Sequence, residues 1–61
     1  GPGELIGELV RGYREAADAE AFAAVEEHFQ AAALNETQRR PVETARVQAR
    51  ERLALPDEAA A

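Results

Sequence analysis

The sequence predicts an all-α fold, a small helical bundle of three helices in which a helical hairpin lies beside a third, charged helix. Two observations predict this class. Apolar residues recur at helical spacing in three segments, and no alternating strand pattern persists for more than a few residues. With 61 residues and no cysteine, the chain is expected to form one domain without disulfides, over residues 4–55.

The first helix is predicted at about residues 4–17. Leu5, Leu9 and Tyr13 recur every four residues and define its apolar stripe. Gly7 and Gly12 weaken a helix, so we interpret them as places where a neighbouring helix approaches closely. Residues 1–3, Gly-Pro-Gly, are interpreted as the remnant of a cleaved tag, which makes the chain a piece of a longer protein.

The second helix is predicted at about residues 19–34, with Asp18 as its N-cap. Phe22, Val25 and Phe29 recur at spacings of three and four, which is the strongest amphipathic pattern in the chain. The break between the first two helices is short, so they are expected to pack as a hairpin or a bent pair.

The third helix is predicted at about residues 38–54. Asn35 and Gln38 have the spacing of a capping box, which would begin the helix earlier. Pro41 favours a start close to itself, since proline is tolerated in a first turn, and otherwise predicts a kink. Both alternatives remain open at this point. Pro56 ends the helix, and residues 56–61 are predicted to be a flexible tail.

The large apolar residues are few, because 15 of the 28 apolar residues are alanine. A chain this short buries a small share of its surface even when it is folded. We therefore expect association to supply part of the stability. A second copy or a partner chain would then complete a four-helix-type bundle.

The residue types that are missing exclude most chemistry. The chain has no serine, cysteine or lysine, hence no nucleophile of those kinds, and it has no phosphate-binding loop. His28 is the single imidazole, and alanine and valine occupy the positions three and four residues away where a second metal ligand would lie. We expect no enzyme activity, no cofactor and no metal. No signal-peptide pattern and no membrane-length apolar run is present, which predicts a cytoplasmic protein without membrane contact.

Charge divides the chain unevenly. Residues 1–35 hold seven acids and two arginines, whereas residues 36–61 hold five of each, which gives the chain a net charge of −5. Acids alternate with the arginines of the third helix, so nucleic-acid binding is not expected. An acidic half of this kind favours a basic protein partner.

Residues 8–16, Glu-Leu-Val-Arg-Gly-Tyr-Arg-Glu-Ala, followed by residues 21–25, Ala-Phe-Ala-Ala-Val, resemble the helical docking domains at the ends of modular polyketide synthase subunits. These domains often begin with Glu-Leu, continue to Tyr-Arg and then to a second alanine-rich helix. The C-terminal members are commonly acidic and their partners basic. The third helix departs from the compact two-helix form.

The resemblance implies a non-catalytic docking module that mediates subunit–subunit association in a multienzyme assembly line. Its partner would be a basic helical docking element of another subunit, or a second copy of this chain. The alternative is an acidic helical regulator, such as an antitoxin or anti-sigma-type fragment, that binds a basic protein. The predicted partner-binding residues are apolar anchors shared between core and interface, acids, and arginines of the third helix: Leu5, Leu9, Tyr13, Phe22, Val25, Phe29, Glu8, Glu15, Glu20, Glu26, Glu27, Arg39, Arg46 and Arg50.

Overall fold

A computed structural model describes residues 1–56, and within this range it contains three helices and no strand. The helices are α1 (Pro2–Glu15), α2 (Ala19–Ala31) and α3 (Glu36–Arg52). The predicted all-α fold of three helices is confirmed. Of the tail predicted at 56–61, residues 57–61 lie outside the described range.

The first two helices differ slightly from their predicted ranges: α1 lies two residues earlier at both ends, and α2 ends at Ala31, three residues before its predicted end. α1 begins at Pro2, whose fixed φ suits a first helical position, so part of the segment interpreted as a tag remnant is helical. It ends at Glu15 because Ala16 is extended, with ψ of 121°. α2 begins where predicted, and the Asp18 carboxylate accepts a hydrogen bond from the Ala21 amide at 2.9 Å.

α3 begins at Glu36 because its capping box is complete. The Gln38 amide donates to the Asn35 side chain at 2.8 Å, and the Asn35 amide donates to the Gln38 side chain at 2.9 Å. These two bonds outweigh the preference of Pro41 for a first turn, and Pro41 lies inside one continuous helix.

The C-terminus of α3 closes in a Schellman turn. Ala54 has a φ of 56°, and the Leu55 amide donates to the Arg50 carbonyl at 2.9 Å. This turn directs the half-buried Leu55 back against the core.

The core forms where α1 packs against both of the other helices, and its contact with α3 is the more extensive one. Tyr13 lies at the centre, fully buried, with edge-to-face ring contacts to Phe22 at 5.3 Å and to Phe29 at 6.2 Å. On α3, small and β-branched residues allow α1 to approach. The buried residues are Leu9, Tyr13, Ala16, Phe22, Phe29, Val42, Ala45 and Ala49.

The two glycines inside α1 have different surroundings. A Cβ atom added at Gly12 would lie 3.0 Å and 3.2 Å from the two γ-methyl carbons of Val25, whereas one added at Gly7 would meet nothing within 4 Å. Close approach of α2 therefore occurs at Gly12, as the sequence suggested, and does not occur at Gly7.

This difference predicts opposite effects of two identical substitutions. Gly7→Ala should raise the free energy of unfolding by about 1 kcal/mol through helix propensity alone. Gly12→Ala gains the same propensity but overpacks against a stiff β-branched side chain, a cost of about 1–3 kcal/mol, and should give no gain or a loss. Urea denaturation followed by circular dichroism measures both. Equal stabilisation by the two changes would contradict the close contact between α1 and α2.

Candidate docking surface

The carboxylate of Glu26 on α2 joins all three helices. Its Oε1 accepts hydrogen bonds from the Tyr13 hydroxyl of α1, at 2.6 Å, and from Nε of Arg46 on α3. Its Oε2 accepts a second bond from the Arg46 guanidinium, at 3.0 Å. The Glu26 and Arg46 side chains are only 13% and 20% exposed, so their attraction is weakly screened by solvent. These three side chains, Tyr13, Glu26 and Arg46, form the Glu26 cluster, which fixes the position of α2 relative to α1 and α3.

The cluster keeps its carboxylate ionised. Burial alone would raise the pKa of Glu26. Hydrogen bonds from Arg46 and Tyr13, together with the nearby charge of Arg50, outweigh burial and hold that pKa below its ordinary value of 4.5. A depressed folded-state pKa means that this stabilisation is complete above about pH 4.5 and is lost as the pH falls through the lower, folded value.

Three further arginines of α3 turn toward α1 and α2, whereas Arg40 lies on the outer surface of that helix. Arg39 lies over the ring of Phe29, with Cζ 5.0 Å from the centroid, and Arg50 lies over Phe22 at 5.9 Å. Arg52 donates from one terminal nitrogen to two carbonyls at the end of α1, to Tyr13 at 3.1 Å and Ala16 at 2.5 Å. These carbonyls have no partner within their helix, so Arg52 caps α1 from outside.

An open apolar groove runs between α1 and α2, on the side of the hairpin away from the Glu26 cluster. Its volume is about 380 Å³. The walls are mostly carbon, with Glu8 and His28 as the polar side chains. The lining residues are Leu5, Glu8, Leu9, Gly12, Ala24, Val25 and His28.

Exposed acids lie along both sides of this groove. Successive helical residues are rotated by about 100°, so residues seven apart lie within about 20° of each other around the axis. Glu8 and Glu15 form such a pair on α1, and Glu20 and Glu27 form one on α2. All four side chains are exposed, and no ion pair of theirs is seen in the described part of the chain.

The predicted partner-binding residues separate into three groups. Leu9, Tyr13, Phe22 and Phe29 are buried in the core, although Leu9 also reaches the groove. The second group lies at the groove. Leu5 and Val25 line it and are half-buried, Glu8 lines it and is exposed, and Glu15, Glu20 and Glu27 are the exposed acids beside it. The third group contacts other side chains of this chain: Glu26, Arg46 and Arg50 are half-buried, whereas Arg39 is exposed, lies over Phe29 and pairs with Glu43.

Three residues of the groove were not predicted to bind a partner. Gly12 carried a signal, since it interrupts a helical stripe without ending the helix. Ala24 and His28 carried a weaker one, since both flank the apolar stripe of α2. The capping role of Arg52 had no local signal, because it depends on a helix that lies 36 residues away in sequence.

The Glu26 cluster predicts that two adjacent glutamates differ sharply in importance. Glu26→Gln should lower the free energy of unfolding by about 2–4 kcal/mol, because it leaves the Arg46 charge partly buried without its counter-ion. Glu27→Gln, at an exposed position, should change it by less than about 0.5 kcal/mol. Chemical denaturation of both variants at neutral pH provides the comparison. Similar losses in the two variants would mean that the cluster contributes little.

A second prediction concerns alkaline pH. Burial, the hydrogen bond to Glu26 and the charge of that carboxylate raise the pKa of Tyr13 well above its ordinary value of 10. A raised folded-state pKa means that the associated stability is present below about pH 10 and is lost as the pH rises further. Tyr13 is the single tyrosine and there is no tryptophan, so phenolate absorbance reports on it alone.

Phenolate formation and loss of the helical circular dichroism signal should therefore rise together above pH 10. Tyr13→Phe, which cannot ionise, should keep its helicity further into the alkaline range. Phenolate formation near pH 10 with the helices intact would show that the hydroxyl is open to solvent.

No helix in the described range combines the length and apolar character needed to cross a membrane. Within residues 1–56, no group of three or more histidine, cysteine, aspartate or glutamate side chains is placed to hold a metal ion. Comparison of the chain with protein-family models, characterised proteins and solved structures finds no match.

Proposed function

We propose that this chain is a non-catalytic docking module that mediates specific association between protein subunits of a multienzyme assembly. The observation that carries the proposal is the open apolar groove between α1 and α2 with acids on both sides. A surface with an apolar centre and a charged rim has the general composition of a protein–protein interface.

The distribution of charge supports a basic partner. Arg39, Arg46 and Arg50 contact side chains inside the fold, whereas Glu8, Glu20 and Glu27 face solvent. The exposed surface of α1 and α2 therefore carries more acids than arginines, with Arg11 and Arg14 as its exposed positive charges. Complementary charges at a rim raise association rates and disfavour wrong partners.

A small surface is sufficient for this task. A micromolar complex corresponds to about −8 kcal/mol, and fusion to large subunits raises the effective concentration of both partners. Residues 8–25 resemble the docking domains of modular polyketide synthases, and this resemblance supports such a synthase as the setting. In that setting the module would bring a carrier protein of one subunit beside the first catalytic domain of the next.

Binding to the terminal segments of proteins encoded beside the parent gene tests the proposal. Isothermal titration calorimetry should find one basic segment that binds with a micromolar Kd. Its affinity should fall by about tenfold or more between about 0.05 M and 0.5 M salt, because the rim contacts are screened. Terminal segments that all bind no tighter than about 1 mM, or all bind equally well, would contradict the proposal.

A further inference from the structure

The groove between α1 and α2 is long enough to bind one further helix. Leu5 and Gly12 mark its ends on α1, and they are seven residues apart, or about 10.5 Å along the axis. This length accommodates two turns of a helix that lies along the hairpin. Such a helix presents apolar side chains at positions i, i+3 or i+4, and i+7 to one face.

Small side chains allow that helix to come close. Ala24 projects only a methyl group into the groove, and Gly12 has no side chain of its own and is packed against Val25 of α2. Leu5 and Val25 are half-buried, so each still has apolar surface that the rest of the fold does not cover. The groove therefore has the shallow centre and apolar walls that suit a helix bearing leucine, valine or alanine on one face.

The exposed acids beside the groove determine which side chains suit the two flanks of the bound helix. Glu8 lines the groove itself, Glu15 extends the same side of α1, and Glu20 and Glu27 follow the other side on α2. Arg11 and Arg14 of α1 border a different depression around Gly7 and Val10, which Glu15 also lines, so Glu8 is the acid of α1 that lines the groove itself. A ligand helix in the groove therefore meets acids on both flanks.

We infer that this groove binds one amphipathic helix of another protein, with an apolar face seated between Leu5 and Val25 and with lysine or arginine on both flanks. The inference rests on the proposed docking function and specifies where and how the partner binds. A second copy of the chain is the poorer occupant, because its α1–α2 surface carries the same acids and the whole chain has a net charge of −5.

The test uses a synthetic amphipathic helix of about 18 residues, long enough to have some helicity by itself, with one leucine stripe flanked by lysines. A matched peptide carries glutamate in place of every lysine. Each peptide is titrated into the isotope-labelled chain and followed by amide chemical shifts. The lysine peptide should shift the amides of Leu5, Glu8, Gly12, Ala24 and Val25 most strongly, and the glutamate peptide should shift none of them.

Two pairs of variants locate the contact. Ala24→Gln places a longer polar side chain in the groove and should weaken binding of the lysine peptide by about tenfold or more. Ala23→Gln, at an exposed position outside the groove, should change it by less than about twofold. Glu8→Lys should weaken binding similarly to Ala24→Gln, whereas Glu51→Lys on the outer surface of α3 should not. Circular dichroism melting confirms that all four variants fold.

Three outcomes would overturn the inference. The lysine peptide could bind at α3, it could fail to bind below about 1 mM, or the groove amides could shift on dilution of the chain alone, which would identify a second copy as the occupant. None of these decides the docking function, which depends on the neighbouring protein segments. If a neighbouring segment binds without shifting the amide signals of the groove, the docking function is supported and the groove is rejected as its site. If no neighbouring segment binds the chain but the lysine peptide binds in the groove, the docking function is rejected and the groove remains a helix-binding site.

Discussion

One carboxylate holds the arrangement of the three helices. Glu26 accepts hydrogen bonds from Tyr13 of α1 and Arg46 of α3, and it is the described residue through which all three helices are joined by polar contacts. The apolar core is small. The backbone of α1 lies closer to α3 than to α2, and α2 contributes the buried Phe22 and Phe29, so the contacts of Glu26 add a directional constraint on how α2 is placed. A partly buried ion pair contributes to specificity only when its geometry is satisfied, and both Glu26 oxygens have partners here.

The same arrangement determines the surface. Because α3 directs Arg39, Arg46 and Arg50 onto Phe29, Glu26 and Phe22, these three positive charges contact side chains of α2. The acids of α1 and α2 remain on the outside, on the side where Gly12 and Val25 bring the two helices together around a shallow apolar groove. The contacts on one side of α2 and the groove on the other are thus linked through the placement of a single helix.

Much of the fold is predictable from the sequence, because helix formation is governed by local signals. The apolar stripes, the Asp18 N-cap and the Asn35–Gln38 capping box all have short-range patterns, and the helices form where these patterns lie. The boundaries were less accurate, since Pro2 extends α1 and the extended Ala16 ends it.

The site was less predictable, because it depends on which faces meet. The glutamates at 26 and 27 are indistinguishable in sequence, yet one is engaged in the core and the other is exposed. The groove also depends on the absence of a side chain at Gly12, whose effect follows only from the position of α2. The composition favours a second copy or a partner chain to complete the bundle, but the three helices of a single chain already bury Tyr13 and Val42 completely. We therefore claim that this chain folds as a monomer and leaves its groove open to another protein. Sedimentation equilibrium over a concentration series, with circular dichroism on the same samples, tests it most directly. A helical monomer of 6.6 kDa at all concentrations is expected. A helical dimer, or a monomer with little helix, would contradict the claim.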